Sequence, residues 1–354
     1  MVLERPGAFT DRSFPLPEIG DDEFLLRVEL VTICGGDLIE YRGGNRKARY
    51  PLLMGHELVG RIEEIGPAAA RRHAVESGDR VMVEPYIRCG QCARCVAGAY
   101  QFCTRGLTYG VTIPSTRPPH LWGAYAQYLY GARGARVHKM AEDVPAAAAC
   151  LTTVVANGVR WVRTRGRGQV GEGMIVTGLG VQALSSVLVG KIAGLAPIVV
   201  VCRERNEDRL RLARTLGADR IVDTAQLASS PAALQELRDL GLELAVECTG
   251  AERMFSVAID ALAPTGRLVA VGTRGGQPLG LDLDAVVFKE LAVIGGLGQA
   301  LDTEFAAAIV NSNRYPIADM VSHTFPLTEA QQAIELCLEG REDVIHVALD
   351  PWSG

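Results

Sequence analysis

Lysine is nearly missing from this chain: of 36 basic residues, only Lys47, Lys139, Lys191 and Lys289 are lysines, and no function attaches to that skew. No basic stripe offsets the formal net charge of −5, which argues against a nucleic-acid binder. No apolar run reaches membrane-spanning length, and the N-terminus lacks a basic-then-apolar signal. There is no internal repeat and no low-complexity segment. Nine cysteines without a secretory signal point to a reducing compartment, and to metal ligation ahead of disulfides. The cytoplasm is the expected location.

What is present begins with length. At 354 residues, 48% apolar and 22% charged, the chain is ordinary soluble material and long enough for two domains. Cys89, Cys92, Cys95 and Cys103 fall in a C-x2-C-x2-C-x7-C pattern. Four thiolates in one short loop fit a closed tetrahedral zinc site, the metal replacing a core that such a loop lacks. Gly90 and Gly98 let the backbone wrap tightly there. Bacterial ferredoxin runs are tighter and place Pro after the last Cys, whereas Thr104 follows Cys103.

Up to about residue 150 the pattern is one of short strands and turns. Residues 24–33 read as a strand running into Cys34-Gly-Gly-Asp37, and glycine-punctuated strand signals follow through Gly66 and from Ser77 to Pro85. A mainly β, barrel-like domain is expected. A helix is expected from Pro145 to about Arg163. From Gly173 onward strands alternate with helices, the signature of a parallel, doubly wound sheet. The first strand ends in Gly178-Leu179-Gly180-Val181-Gln182-Ala183. Gly178 would make the turn, Gly180 would admit a pyrophosphate, and the helix N-terminus would face its charge; Ala183 replaces the third glycine. Strand ends near Thr249 and at Val271-Gly272-Thr273 would complete this nucleotide site.

Together these features resemble the zinc-containing medium-chain dehydrogenase/reductase family of alcohol, polyol, sugar and threonine dehydrogenases. The likeness spans nearly the whole chain and is carried by Cys34-Gly-Gly-Asp37, Gly55-His56-Glu57, the Cys89–Cys103 lobe, Trp122–Tyr128 and the glycine turn. It implies a GroES-like catalytic domain over 1–151, a Rossmann cofactor domain over 152–296, a C-terminal return over 297–354, and an active site between the domains. It implies a second, catalytic zinc on Cys34 and His56, with Asp37 orienting the histidine. The third ligand is expected to be Cys150, with Glu57 as the alternative. It also implies a homodimer or homotetramer, with contacts near the cysteine lobe. Tyr109, Trp122 and residues 295–299 are expected to line the substrate pocket, whose substrate the sequence does not name.

Two positions depart from the family pattern. Gly36 stands where relatives carry a Ser or Thr that passes on the alcohol proton, and Ile39 stands where some carry the relay histidine; water, Glu40 or Tyr41 would have to substitute. For the cofactor, Glu204 favours NAD by binding a ribose 2′-OH, while Arg203 and Arg205 would suit a 2′-phosphate. His346 is expected near the pyrophosphate. His73, His120, His138 and His323 read as surface or loop residues, and Cys202, Cys248 and Cys337 as inert core thiols. The expected activity is hydride transfer between a nicotinamide and a secondary alcohol or ketone, including polyols, sugars and cyclitols. The alternatives are a zinc-free quinone or enoyl reductase on the same fold and a zinc-stapled binding protein.

Overall fold

Phe24–Thr32 is apolar at every position except Arg27, Glu29 and Thr32, and only Arg27 and Glu29 reach toward solvent. Such a strand can be covered on both faces, and it organises the first half of the fold. It pairs antiparallel with Glu57–Ile65 on one edge, and with Tyr128–Gly131 and Val347–Asp350 on the other. Arg80–Val83 and Val137–Lys139 extend the sheet beyond Glu57–Ile65, and His323–Pro326 extends it beyond Val347–Asp350. The last strand of the chain therefore lies beside one of the first.

The computed structural model describes residues 1–203 and 206–353. The chain forms two units: Met1–Thr153 with Thr303–Gly354, and Val154–Asp302. The first is mainly β, with a large core that includes Tyr109, Trp122 and Tyr125. Those rings correct an expectation. Tyr109 and Trp122 are buried core residues, packed on each other with ring centroids 6.4 Å apart. The expected helix from 145 to 163 is also broken, into Ala146–Cys150, Thr152–Val159 and a wider π turn over Arg160–Arg165.

The second unit is a six-stranded parallel sheet flanked by helices. Its strands Gly173–Thr177, Ile198–Cys202, Arg220–Asp223, Leu242–Glu247, Leu262–Ala270 and Ala292–Gly295 lie in spatial order 3-2-1-4-5-6. The central strands are buried along almost their whole length, Ile198–Cys202 as a run of Ile and Val, as a sheet covered on both faces demands. The third strand starts at Arg220 rather than at Gly217, because Gly217 caps the preceding helix. Among the described residues no helix is long and apolar enough to cross a membrane.

Candidate active site and nucleotide turn

The strand Phe24–Thr32 delivers Cys34 to the start of a helix over Gly35–Tyr41. Cys34 is the N-cap: the amide of Gly36 donates to its Sγ, while Asp37 Oδ2 accepts from the Cys34 amide at 2.9 Å. This reciprocal cap fixes both side chains in one short turn. Tyr125 donates its hydroxyl to the same Oδ2 at 3.1 Å.

Glu57 opens the neighbouring strand, and His56 stands just before it. Gly55, with φ of +91°, makes the turn before them, and a Cβ there would lie 2.5 Å from the Tyr125 ring. The donors of Cys34, His56 and Glu57 all lie within 4.8 Å of one another. Cys150 stands outside that group, which corrects the preference for it as third ligand. Its fully buried thiol is instead turned onto the carbonyls of Glu57, at 3.0 Å, and Leu30.

Glu57 is held from behind. Its Oε2 accepts from Thr32 Oγ1 at 2.8 Å and lies 3.0 Å from His346 Nε2. Burial works against its charge, yet the hydrogen bond and charge of His346, with help from His56 and Thr32, keep the carboxyl below its ordinary range. Burial and the nearby Glu57 charge push Asp37 up to about 7, and burial with the charges of Glu57 and Asp37 raises the Cys34 thiol. His56 Nδ1 and Asp37 Oδ1 face each other at 3.6 Å, too far for a hydrogen bond, and neither has another partner among the described residues. A thiol, two carboxyls and an imidazole meet here. The donor set fits a divalent metal of zinc type, with Asp37 placed to orient the imidazole.

The cysteine lobe gathers as its spacing predicts. Cys89, Cys92, Cys95 and Cys103 bring their sulfurs within 4.8 Å of one another, and backbone amides of Cys89 and Cys92 point at sulfurs. Backbone hydrogen bonds lower the thiols of Cys89 and Cys92, while burial and the neighbouring sulfurs push Cys95 up to about 12.

In the second unit Gly178 turns with φ of +93°, its missing Cβ only 2.9 Å from Thr249 Cγ2. Gly180 caps the helix Val181–Ile192, and nothing lies within 4 Å of where its Cβ would be. The amides of Val271 and Gly272 both donate to the Glu247 carbonyl, so these residues and Thr249 meet at the carboxyl end of the sheet, with Thr273 touching Gly250. Leu179 is buried, and Gln182 is held by Asn157. Arg203 is exposed after the second strand; Glu204 and Arg205 lie outside the described residues. His346 belongs to the first unit, buried against Glu57.

His138 is neither a surface nor a loop residue. It lies in a strand with Nε2 2.7 Å from buried Glu84, an acid that pairing along the sequence could not reveal. Sequence reasoning also missed Thr32 and Tyr125; the latter lies within Trp122–Tyr128, so a signal for it was present.

Residues 20–142 match the alcohol dehydrogenase GroES-like domain, and residues 184–312 match the zinc-binding dehydrogenase family. The Mycobacterium tuberculosis (strain CDC 1551 / Oshkosh) protein "Probable alcohol dehydrogenase adh" is 38% identical over 362 residues, covering 99% of this chain and 98% of that one. The chain belongs to the zinc-type medium-chain dehydrogenase/reductase family. Among other medium-chain relatives, the erythritol/L-threitol dehydrogenase of Mycolicibacterium smegmatis is 29% identical, with 97% and 95% of the two chains covered. A protein of Escherichia coli CFT073 described as a short chain alcohol dehydrogenase and solved with NADH superposes with a TM-score of 0.83 at 25% identity, covering 99% and 98%. This medium-chain dehydrogenase/reductase is thus an oxidoreductase of the alcohol and polyol dehydrogenase type.

Proposed function

We propose that the protein is a zinc-dependent dehydrogenase that moves hydride between NAD and a secondary alcohol or its ketone, with polyols, sugars and cyclitols as the substrate class. The observation that carries this reading is the convergence of Cys34, His56 and Glu57 donors within 4.8 Å, with Asp37 behind His56. Zinc held there would polarise the substrate oxygen as a Lewis acid. Cys34, His56 and Glu57 would hold that metal, and Asp37 and Tyr125 would keep its ligands oriented. A second zinc in the Cys89–Cys103 lobe would hold that loop.

The nucleotide would lie on the turn at Gly178 and Gly180, where the open space beside Gly180 supports a pyrophosphate at the helix N-terminus. NAD is preferred in this reading because Glu204 follows the second strand and because a relative at 25% identity carries NADH. Self-association would use the edge strand Ala292–Gly295, where Val293 is 45% and the nearby Phe288 84% exposed. A panel of polyols, cyclitols, amino alcohols and simple alcohols, run with NAD and NADP and paired with metal analysis, tests the reading. Turnover that requires metal and prefers NAD is expected. No nucleotide reduction by any alcohol would sink it.

A further inference from the structure

The helix Gly35–Tyr41 carries a carboxylate that the proposed ligand set does not use. Glu40 is only 2% exposed. Its Oε1 accepts from Asn45 Nδ2 at 2.5 Å, and its backbone carbonyl accepts from the Tyr50 hydroxyl at 2.5 Å. Its Oε2 is buried and has no partner among the described residues. A Cβ built on Gly36 would lie 3.7 Å from that oxygen and 3.8 Å from Cys34 Sγ, with nothing nearer. The free oxygen therefore looks onto the space left by the missing Gly36 side chain, next to a proposed metal ligand. A carboxylate kept for structure alone would bond through both oxygens, since leaving one buried and unpaired is costly.

Three titratable groups face Glu40: Asp37 from its own helix, His56 from the segment before the next strand, and Tyr50 from the loop beyond the helix. Burial and the Asp37 charge push its carboxyl up to about 7, while the Asn45 hydrogen bond and His56 pull the other way. That places it near the pH at which a general base works best.

Building on the dehydrogenase reading, we propose that Glu40 accepts the substrate hydroxyl proton across the Gly36 gap, directly or through one water, in place of a side-chain hydroxyl relay. During alcohol oxidation the C–H bond breaks and its electron pair passes with the hydrogen to the nicotinamide. The O–H electron pair becomes the second carbon–oxygen bond of the ketone, and the proton goes to Glu40 Oε2. The carboxylic acid then returns the proton to water on the side of half-exposed Asn45. Reduction runs the same transfers backwards.

The test compares the parent with Glu40→Gln on the best alcohol of the panel. Glu40→Gln should lower kcat by about 10²–10⁴-fold, leave KM for nucleotide nearly unchanged, and erase the acid limb of the pH–rate profile. In the metal-free protein, infrared titration should show carboxylic-acid absorbance that is lost near 7, and Glu40→Gln should remove part of it, Asp37 keeping the rest. Adding Gly36→Ser to Glu40→Gln should recover part of the rate. Glu40→Asp, tested in case the glutamine variant folds poorly, should keep a shifted acid limb. An active parent whose Glu40→Gln variant keeps both rate and pH profile would overturn the role of Glu40 and leave the dehydrogenase reading standing. A parent that turns over no alcohol would overturn both.

Discussion

His346 Nε2 lies 3.0 Å from Glu57 Oε2, joining residues 289 positions apart inside the first unit. The contact exists because Val347–Asp350 pairs with Phe24–Thr32, the strand that leads into Cys34, and the Ile33 amide donates to the Val347 carbonyl at 2.9 Å. The C-terminal part of the chain thereby sets the posture of a proposed metal ligand. Removing one partner of a buried, hydrogen-bonded charge is costly. His346→Ala should destabilise the protein by about 2–3 kcal/mol in urea unfolding. His346→Gln, which keeps a donor, should lose less. Equal losses for the two would mean that packing, and not the bond to Glu57, is what His346 supplies.

The two cysteine clusters should fail in different ways. Cys95→Ser removes a ligand from the proposed lobe zinc, which would contribute to folding, so one zinc per chain and a lower Tm are expected by metal analysis and calorimetry. Cys34→Ser should also drop one zinc while keeping its Tm within a few degrees, with kcat down at least about 10²-fold. A parent holding a single zinc, combined with an active Cys34→Ser, would contradict the catalytic metal.

His73 should make the first unit sensitive to acid. Burial, then the charges of Arg72, Arg136, Arg88 and His138, hold its imidazole down at about 4, against an ordinary value of 6.5. Above pH 6.5 the ring is neutral whether the chain is folded or not, and it costs nothing. Between 6.5 and 4 the unfolded chain binds a proton that the folded one refuses, so stability falls as the pH falls. For a half-buried ring screened by solvent the loss should be about 1–2 kcal/mol. His73→Gln should flatten that part of the stability–pH curve in chemical denaturation; an unchanged slope would rule His73 out as its source.

The two glycines of the nucleotide turn should separate structure from binding. Gly178 combines a positive φ with a near clash on Thr249, so Gly178→Ala should cost about 1–3 kcal/mol in unfolding. Gly180 has ordinary backbone and open space, so Gly180→Val should cost little stability while raising KM for the nucleotide several-fold. A Gly180→Val enzyme with parental KM would place the pyrophosphate elsewhere.

Local chemistry made much of this protein legible from its residues in order. The cysteine lobe could be read because its four ligands sit within one loop, where spacing alone limits geometry. The parallel sheet could be read because strands buried on both faces are written as unbroken Val and Ile runs, as at Ile198–Cys202. Cys34 and His56 were legible through their motifs, since a helix cap and a glycine turn are short-range devices. That Glu57, and not Cys150, gathers with Cys34 and His56 was not legible. It depends on which way a buried thiol turns between two strands and a helix, and the carbonyls of Leu30 and Glu57 decide that. The pairing of His346 with Glu57 and of His138 with Glu84 likewise waits on sheet register between distant segments. Tyr109 and Trp122 looked like pocket residues because an aromatic suits either a core or a cleft; only packing assigned them to the core. Glu40 shows both sides of this division. Its place four residues after Gly36 put it on the same helix face by sequence alone, while the burial that leaves its Oε2 free was decided by the fold.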